Sequence, residues 1–349
     1  MPEETKQPKA SPAPWGTLAI RAFFLLLLGV SIYFFLPTLL ELAESAPQLE
    51  HVKWRWFFLM GLLETGAFVS LWALTRIAVP GISWFVASTS QLTSNAAVKV
   101  IPGGVVAGGA AYFQMLAVSG VPMGTALAAL AAVGILSNLV LLALPAVALV
   151  IALVSVPIPD GMLPVAIAGT VLFVAMFTVT VVVVRFDRPL YAVGWVVQRV
   201  VAWAARIFKK DWSLTADDLI ERRDEVVSAL GKRWQRALGV AVSNWLLDYA
   251  TLVVALIAVG AEPRPSLVLL AFAGAAVLGM IPITPGGLGF VEAGLVGMLT
   301  IAGIPAGDAL LATLAYRLFQ FWLPIPAGLV AYVLFRRRYG KPSELPAVS

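Results

Sequence analysis

Cysteine is absent from the 349-residue chain, histidine occurs once, as His51, and only 12% of the residues are charged. Without cysteine there is no disulfide scaffold, no thiolate zinc site and no thiol redox centre. One imidazole leaves no histidine cluster for a metal and no second histidine for a proton relay. Soluble domains carry about 25% charged residues, so this composition excludes most soluble enzymes. It also excludes a disordered chain, which is poor in apolar residues. The net charge of +5 is too small to point to nucleic acid, and no nucleic-acid partner is expected. No G-x-x-x-x-G-K-[ST] stretch occurs, so no phosphate-binding loop is present. Neither a cofactor nor a metal is expected.

Apolar residues, by contrast, make up 60% of the chain. They come in long runs, not in the alternating ten-residue segments of an outer-membrane barrel. The expected fold is an all-α integral membrane protein. A helix needs about 20 apolar residues to cross the bilayer core. Six stretches meet this: 20–40, 56–76, 125–155, 162–184, 236–259 and 309–335. Two further apolar stretches, 82–119 and 266–304, are each interrupted by Pro-Gly-Gly, at Pro102, Gly103 and Gly104 and at Pro285, Gly286 and Gly287. Proline removes a backbone donor and paired glycines loosen the chain. Neither half of either stretch is long enough to cross comfortably. Both read as re-entrant hairpins of two half-helices, which need protein or a wet cavity around the break.

The positions of the basic residues test this topology. With a cytoplasmic N-terminus and both hairpins returning to their side of origin, 19 of the 24 Lys and Arg residues are cytoplasmic. Eleven of these lie between Arg185 and Arg236. Only Lys53, Arg55 and Arg264 are external, and Lys99 and Arg317 are intramembrane. The bias places both termini in the cytoplasm of a multi-pass protein, here assigned to the bacterial plasma membrane. The segment 1–17 is a Pro- and Lys-rich tail, 18–338 one transmembrane domain, and 339–349 a second cytoplasmic tail. Within the 185–236 segment, Trp195, Trp203, Arg199 and Arg206 fit a helix lying in the interface.

The two Pro-Gly-Gly blocks belong to a longer repeat. With a shift of 183 residues, 102–130 falls on 285–313 without a gap, and twelve of 29 positions are identical. Gly120, Pro122 and Gly124 fall on Gly303, Pro305 and Gly307. Three full spans separate the hairpins, an odd number, so the two repeats are expected to be inverted. Inverted repeats with broken helices mark the site of many transporters. The half-helices that begin after Pro102 and Pro285 offer unpaired N–H groups, which favour anions.

The stretch Ile281 to Glu292 (IPITPGGLGFVE), then Gly303-Ile-Pro305, then Tyr316, Arg317 and Leu318, and Phe321 to Pro324 (FWLP), resembles the lysylphosphatidylglycerol synthase transmembrane region, also called the flippase-like domain family. The resemblance covers about 18–336. It implies lipid translocation on an inverted-repeat scaffold. The chain stops soon after Arg338, so the soluble aminoacyl-transferase domain of bifunctional members is not expected, and no enzyme activity is implied. Where the family's first repeat often carries arginine and acid, this chain reads Gly103 to Gly109 and Gly134 to Asn138 without a charge.

Five ionisable residues fall inside spans or hairpins: Glu64, Lys99, Asp248, Glu292 and Arg317. A charge at bilayer depth is unfavourable by about 2.5–3.5 kcal/mol even on the mild insertion scale. Arg317 could hold a phosphate while Glu292 counters an amine or a proton, or the two could form a buried pair that fixes the second hairpin. Lys99 stands behind Gln91, Ser94 and Asn95 on one helix face, which reads either as a wet stripe or as a snorkelling lysine. Glu64 and Asp248 could pair with the cations or exchange protons. Gln114, Asn138 and Gln320 read as interhelical hydrogen-bond contacts. The candidate headgroup or proton site is therefore Lys99, Glu292, Arg317, Asn95, Glu64 and Asp248, with no catalytic group. The expected partners are membrane lipids, and a homo-oligomer is left open. The expected function is translocation of an anionic or aminoacylated phospholipid. The alternatives are secondary transport of a small solute or ion and, third, an enzyme acting on lipid-linked substrates.

Overall fold

The computed structural model describes residues 54–101, 104–155, 159, 161–186, 224, 227, 231–280 and 284–340. The expected span 20–40, the N-terminal tail, residues 341–349 of the C-terminal tail, Pro102, Gly103 and most of the 185–236 segment lie outside the described residues. Among the described residues ten α-helices follow in order: α1 (Trp54–Ala78), α2 (Trp84–Val100), α3 (Gly104–Val118), α4 (Met123–Ser155), α5 (Leu163–Arg185), α6 (Trp234–Ala258), α7 (Pro265–Leu278), α8 (Phe290–Ile301), α9 (Ala306–Arg317) and α10 (Pro324–Tyr339). Among the described residues there is no strand. The protein is an all-α integral membrane protein. Among the described residues five stretches are long and apolar enough to cross a bilayer: α1, α4, α5, α6 and the run from Ala306 to Tyr339. Helix α5 shows its surroundings most openly. Only Ala166 and Gly169 are buried on it, while Val171, Val174, Phe177 and Val179 are exposed. An exposed face that is apolar all along suits lipid rather than water.

The two interrupted stretches form helix–turn–helix hairpins, α2 against α3 and α7 against α8. Their helices hold 17, 15, 14 and 12 residues, all short of a full crossing. Helix α2 ends at Ile101, whose backbone is extended (φ −92°, ψ 131°). The proline that follows disfavours helical geometry for the residue before it. Helix α3 then returns in backbone contact with α2. A Cβ on Gly104 would lie 2.1 Å from the Val98 carbonyl oxygen, and one on Gly108 2.7 Å from the Ser94 carbonyl oxygen. This is the small-xxx-small spacing that lets membrane helices approach closely. In the second hairpin, Pro285–Gly287 form a single tight turn in which Gly286 is left-handed (φ 59°).

The repeated segments close with the same turn. Gly120 (φ 92°) and Gly303 (φ 94°) each end a helix in the left-handed conformation. In both, the next residue bonds back five positions, Val121 to Leu116 and Ile304 to Leu299, at 3.1 Å. This pairing satisfies the last helical carbonyls. Four identities of the repeat, Met115/Met298, Leu116/Leu299, Ala126/Ala309 and Ala129/Ala312, are buried in both copies. Helices α4, α5 and α6 lie between the hairpins in sequence, as the spans predict.

The expected single span 309–335 is not one regular helix. A π-helical turn, Leu318–Trp322, joins α9 to α10, and the Leu323 N–H bonds to the Leu318 carbonyl at 2.9 Å. The reason is Pro324. It has no N–H to give the Gln320 carbonyl four residues back, so the local ladder slips by one residue. Two apolar cores flank the centre of the molecule. One joins α7, α8 and α9 to the outer parts of α4 and α6. The other joins α2 and α3 to the opposite end of α1 and the start of α4 and α6.

Replacing Gly108 by Leu should separate α2 from α3 and abolish a monodisperse peak in fluorescence-detected gel filtration. Gly297→Ala is the control. A Cβ at Gly297 meets nothing within 4 Å, and the change should stabilise α8 by about 0.5–1 kcal/mol.

Candidate functional site

The five ionisable residues of the spans come together. Glu64 (α1), Lys99 (α2), Asp248 (α6), Glu292 (α8) and Arg317 (α9) are each at most 9% exposed, and they are the buried charged side chains among the described residues. Glu64, Lys99 and Asp248 lie within electrostatic reach of one another, and Arg317 lies within reach of Lys99 and Asp248. Arg317 Nε donates to Glu292 Oε1 at 2.7 Å. The same guanidinium donates from Nη1 to Gln320 Oε1 at 3.1 Å and from Nη2 to the Gly286 carbonyl at 3.3 Å, and it stacks 4.4 Å over the Phe321 ring. Arg317 thus clamps the turn of the second hairpin. Gly286 has no room for a side chain there: a Cβ would lie 2.4 Å from the Phe321 ring and 3.2 Å from Lys99 Cα.

Lys99 does not snorkel. Its ammonium donates to the Gln320 carbonyl, the oxygen that Pro324 leaves without a helical donor. It also lies 5.3 Å from the Phe321 ring centre. The two cations are therefore engaged by the second repeat. The acids are less complete. Asp248 lies beside Tyr316, and Glu64 lies beside Thr251, whose hydroxyl donates to the Leu247 carbonyl at 3.0 Å. Yet Glu64 Oε2, Asp248 Oδ1, Glu292 Oε2 and Asn95 Oδ1 are buried without a hydrogen-bond partner.

Beside this cluster lies a cavity of about 410 Å³. Its polar lining comes from Glu64 of α1, from Gln91, Ser94 and Asn95 of α2, from Ser137 and Asn138 of α4, from Asn244 and Asp248 of α6, and from Gln320. No lysine or arginine is among the described residues that line it. The far end is fixed by hydrogen bonds: Gln91 Nε2 and the Tyr112 hydroxyl both donate to Thr75 Oγ1, at 3.1 and 3.0 Å. Asn244 Nδ2 donates to the Ala67 carbonyl at 3.0 Å, and Trp245 Nε1 to the Ser137 carbonyl at 2.9 Å. A second, apolar space of about 280 Å³ lies between α1 and the π turn with the start of α10, lined by Gly61, Leu92, Phe319, Leu323 and Ala327. Glu64 and Phe68 border both spaces.

The sequence profile of the lysylphosphatidylglycerol synthase transmembrane region matches residues 19–328. The chain belongs to this family. It is also similar to curated proteins of Methanothermobacter thermautotrophicus strain Delta H, each named a UPF0104 membrane protein. One is 29% identical over 99 residues, covering 28% of each chain. Another is 24% identical over 180 residues, covering 47% of this chain and 52% of the relative. The alignments therefore span about half or less of these relatives.

As a member of this family the chain places its Tyr-Arg pair and Pro-Gly-Gly-Leu-Gly block at the same buried junction. Sequence reasoning brought out all five charged residues of the cluster but assigned no role to Tyr316 or Phe321. It treated Gln320 as an ordinary interhelical contact. The available signal for Gln320 was Pro324, four residues on, which frees its carbonyl. Gln114 is not among the cavity-lining residues, whereas Asn138 is.

Breaking the clamp from one side should cost more than removing it whole. Arg317→Met leaves Glu292 buried and unpaired and should destabilise by about 3–5 kcal/mol. The double variant Arg317→Met with Glu292→Gln should recover part of that loss, read as the thermal midpoint in detergent. A double variant no more stable than the single one would contradict a pairwise clamp.

Proposed function

We propose that this protein is a lipid translocase of the bacterial inner membrane, and that its substrate is a phospholipid whose headgroup carries an amine. The observation that carries this reading is the junction at Glu64 and Phe68, where a polar cavity adjoins an apolar groove. A small hydrophilic solute needs only the first space. An amphiphile uses both, with its headgroup among the amides and carboxylates and an acyl chain along Phe319, Leu323 and Ala327. Membrane sites are polar only where function or pairing requires it, and this lining exceeds what pairing requires.

The sign of the headgroup follows from the donors and acceptors left over. Arg317 and Lys99 are engaged, and Glu64, Asp248 and Asn95, which line the cavity, each hold a buried oxygen without a hydrogen-bond partner. These accept from an ammonium group and repel a bare phosphate. The family's description names lysylphosphatidylglycerol, an aminoacylated phospholipid of this chemistry. The inverted-repeat reading supports movement between leaflets, with both termini in the cytoplasm, each hairpin entering from one side and alternating access arising between the repeats. The protein moves its substrate and does not modify it.

Reconstitution tests this. Vesicles carrying the protein and a fluorescent aminoacylated phospholipid should invert that lipid at least about tenfold faster than Glu64→Gln or Asp248→Asn vesicles, the loss expected from one charged hydrogen bond. Inversion no faster than in protein-free vesicles, for aminoacylated, zwitterionic and anionic headgroups alike, overturns the reading. Solute uptake without lipid movement would replace it with secondary transport.

A further inference from the structure

The five buried charges do not balance. Counted at formal charge, Glu64, Asp248 and Glu292 are three negative charges and Lys99 and Arg317 two positive ones, all buried. The clamp between Arg317 and Glu292 is neutral. The remainder is Lys99 against two carboxylates, a net charge of −1 in the low-dielectric centre of the molecule. An uncompensated charge there is strongly unfavourable. The buried oxygens without a partner point to the same deficit: Glu64 Oε2 and Asp248 Oδ1, on side chains 7% exposed, together with Asn95 Oδ1. All three residues line the one cavity, which has room for a small ligand and no cation of its own.

We infer that Glu64, Asp248 and Asn95 form a binding site for one exchangeable monovalent cation, a proton or an alkali ion, in the resting protein. The groups facing it from the surrounding helices are Lys99 of α2, Thr251 of α6, and Tyr316 and Arg317 of α9. Tyr316 lies beside Asp248 and Thr251 beside Glu64, and the unpartnered Asp248 Oδ1 and Glu64 Oε2 are left for the ion. Hard oxygen donors suit a proton or Na⁺ and not a soft metal. The site deepens the translocase reading. An ammonium headgroup needs the same oxygens, so ion and headgroup compete for them, and release of one accompanies entry of the other. The binding measurements need no lipid movement, so failure of the ion site and failure of translocation are read separately.

The test uses the purified full chain in nanodiscs of zwitterionic lipid. Saturable binding of radioactive ²²Na⁺ identifies an alkali ion. Loss of binding in Glu64→Gln and in Asp248→Asn assigns it to this site. An infrared carboxylic C=O band in Na⁺-free buffer at neutral pH, lost in either variant, identifies a proton instead. In either case, the thermal midpoint of the wild type should rise by about 5 °C when the cation is raised to 100 times its half-saturating level. That rise should vanish in Glu64→Gln, which removes the surplus charge. Should a variant fail to fold, the wild-type isotherm and spectrum still decide. No saturable Na⁺ binding, no protonated carboxyl band, and a midpoint flat in both Na⁺ and pH would overturn the site.

Discussion

A guanidinium placed at bilayer depth has to find its acceptors inside the protein, and much of the second half of this structure is arranged around that requirement. Arg317 gathers a carboxylate from α8, the side-chain oxygen of Gln320 and the carbonyl of Gly286. Those three partners belong to three separate pieces of chain. Holding them together fixes the turn of the second hairpin against the π turn. Lys99 extends the arrangement to the first hairpin through the Gln320 carbonyl. The two broken helices are therefore joined at their centres by two cations and one slipped helical turn.

Much of this was legible in the sequence because the underlying rules are local. Runs of apolar residues gave four spans with bounds within a few residues of the helices. The Pro-Gly-Gly blocks gave both breaks, since proline and left-handed glycine act on their own backbone. Charges inside apolar runs are rare enough that all five members of the cluster stood out. What the sequence hid was pairing across long separations. Glu292 and Arg317 are 25 residues apart and their partnership was one of two open readings. The meeting of Lys99 with Gln320, 221 residues on, had no local signature. The π turn was hidden because hydropathy is blind to a hydrogen bond missing at Pro324.

The pairing also reverses the sense of the site. From the sequence, Arg317 and the half-helix N-termini suggested a home for phosphate, with a buried Glu292–Arg317 pair as the other reading. In the structure both cations are turned toward protein acceptors, and the cavity presents oxygen. The cavity is lined by carboxylates and amides and bordered by an apolar groove. The charged residues divide by what they touch: Arg317 and Glu292 hold the second hairpin, while Glu64 and Asp248, with Asn95, line the cavity.

The central claim is that one amphiphile occupies the polar cavity and the apolar groove together, across Glu64 and Phe68. An electron cryomicroscopy structure in nanodiscs containing an aminoacylated phospholipid tests it most directly. The account predicts headgroup density among Glu64, Asn95 and Asp248 that continues past Phe68 as acyl-chain density along Phe319 and Ala327, with Arg317 still on Glu292. A lipid-free cavity, or a headgroup phosphate seated on an Arg317 released from Glu292, would contradict it.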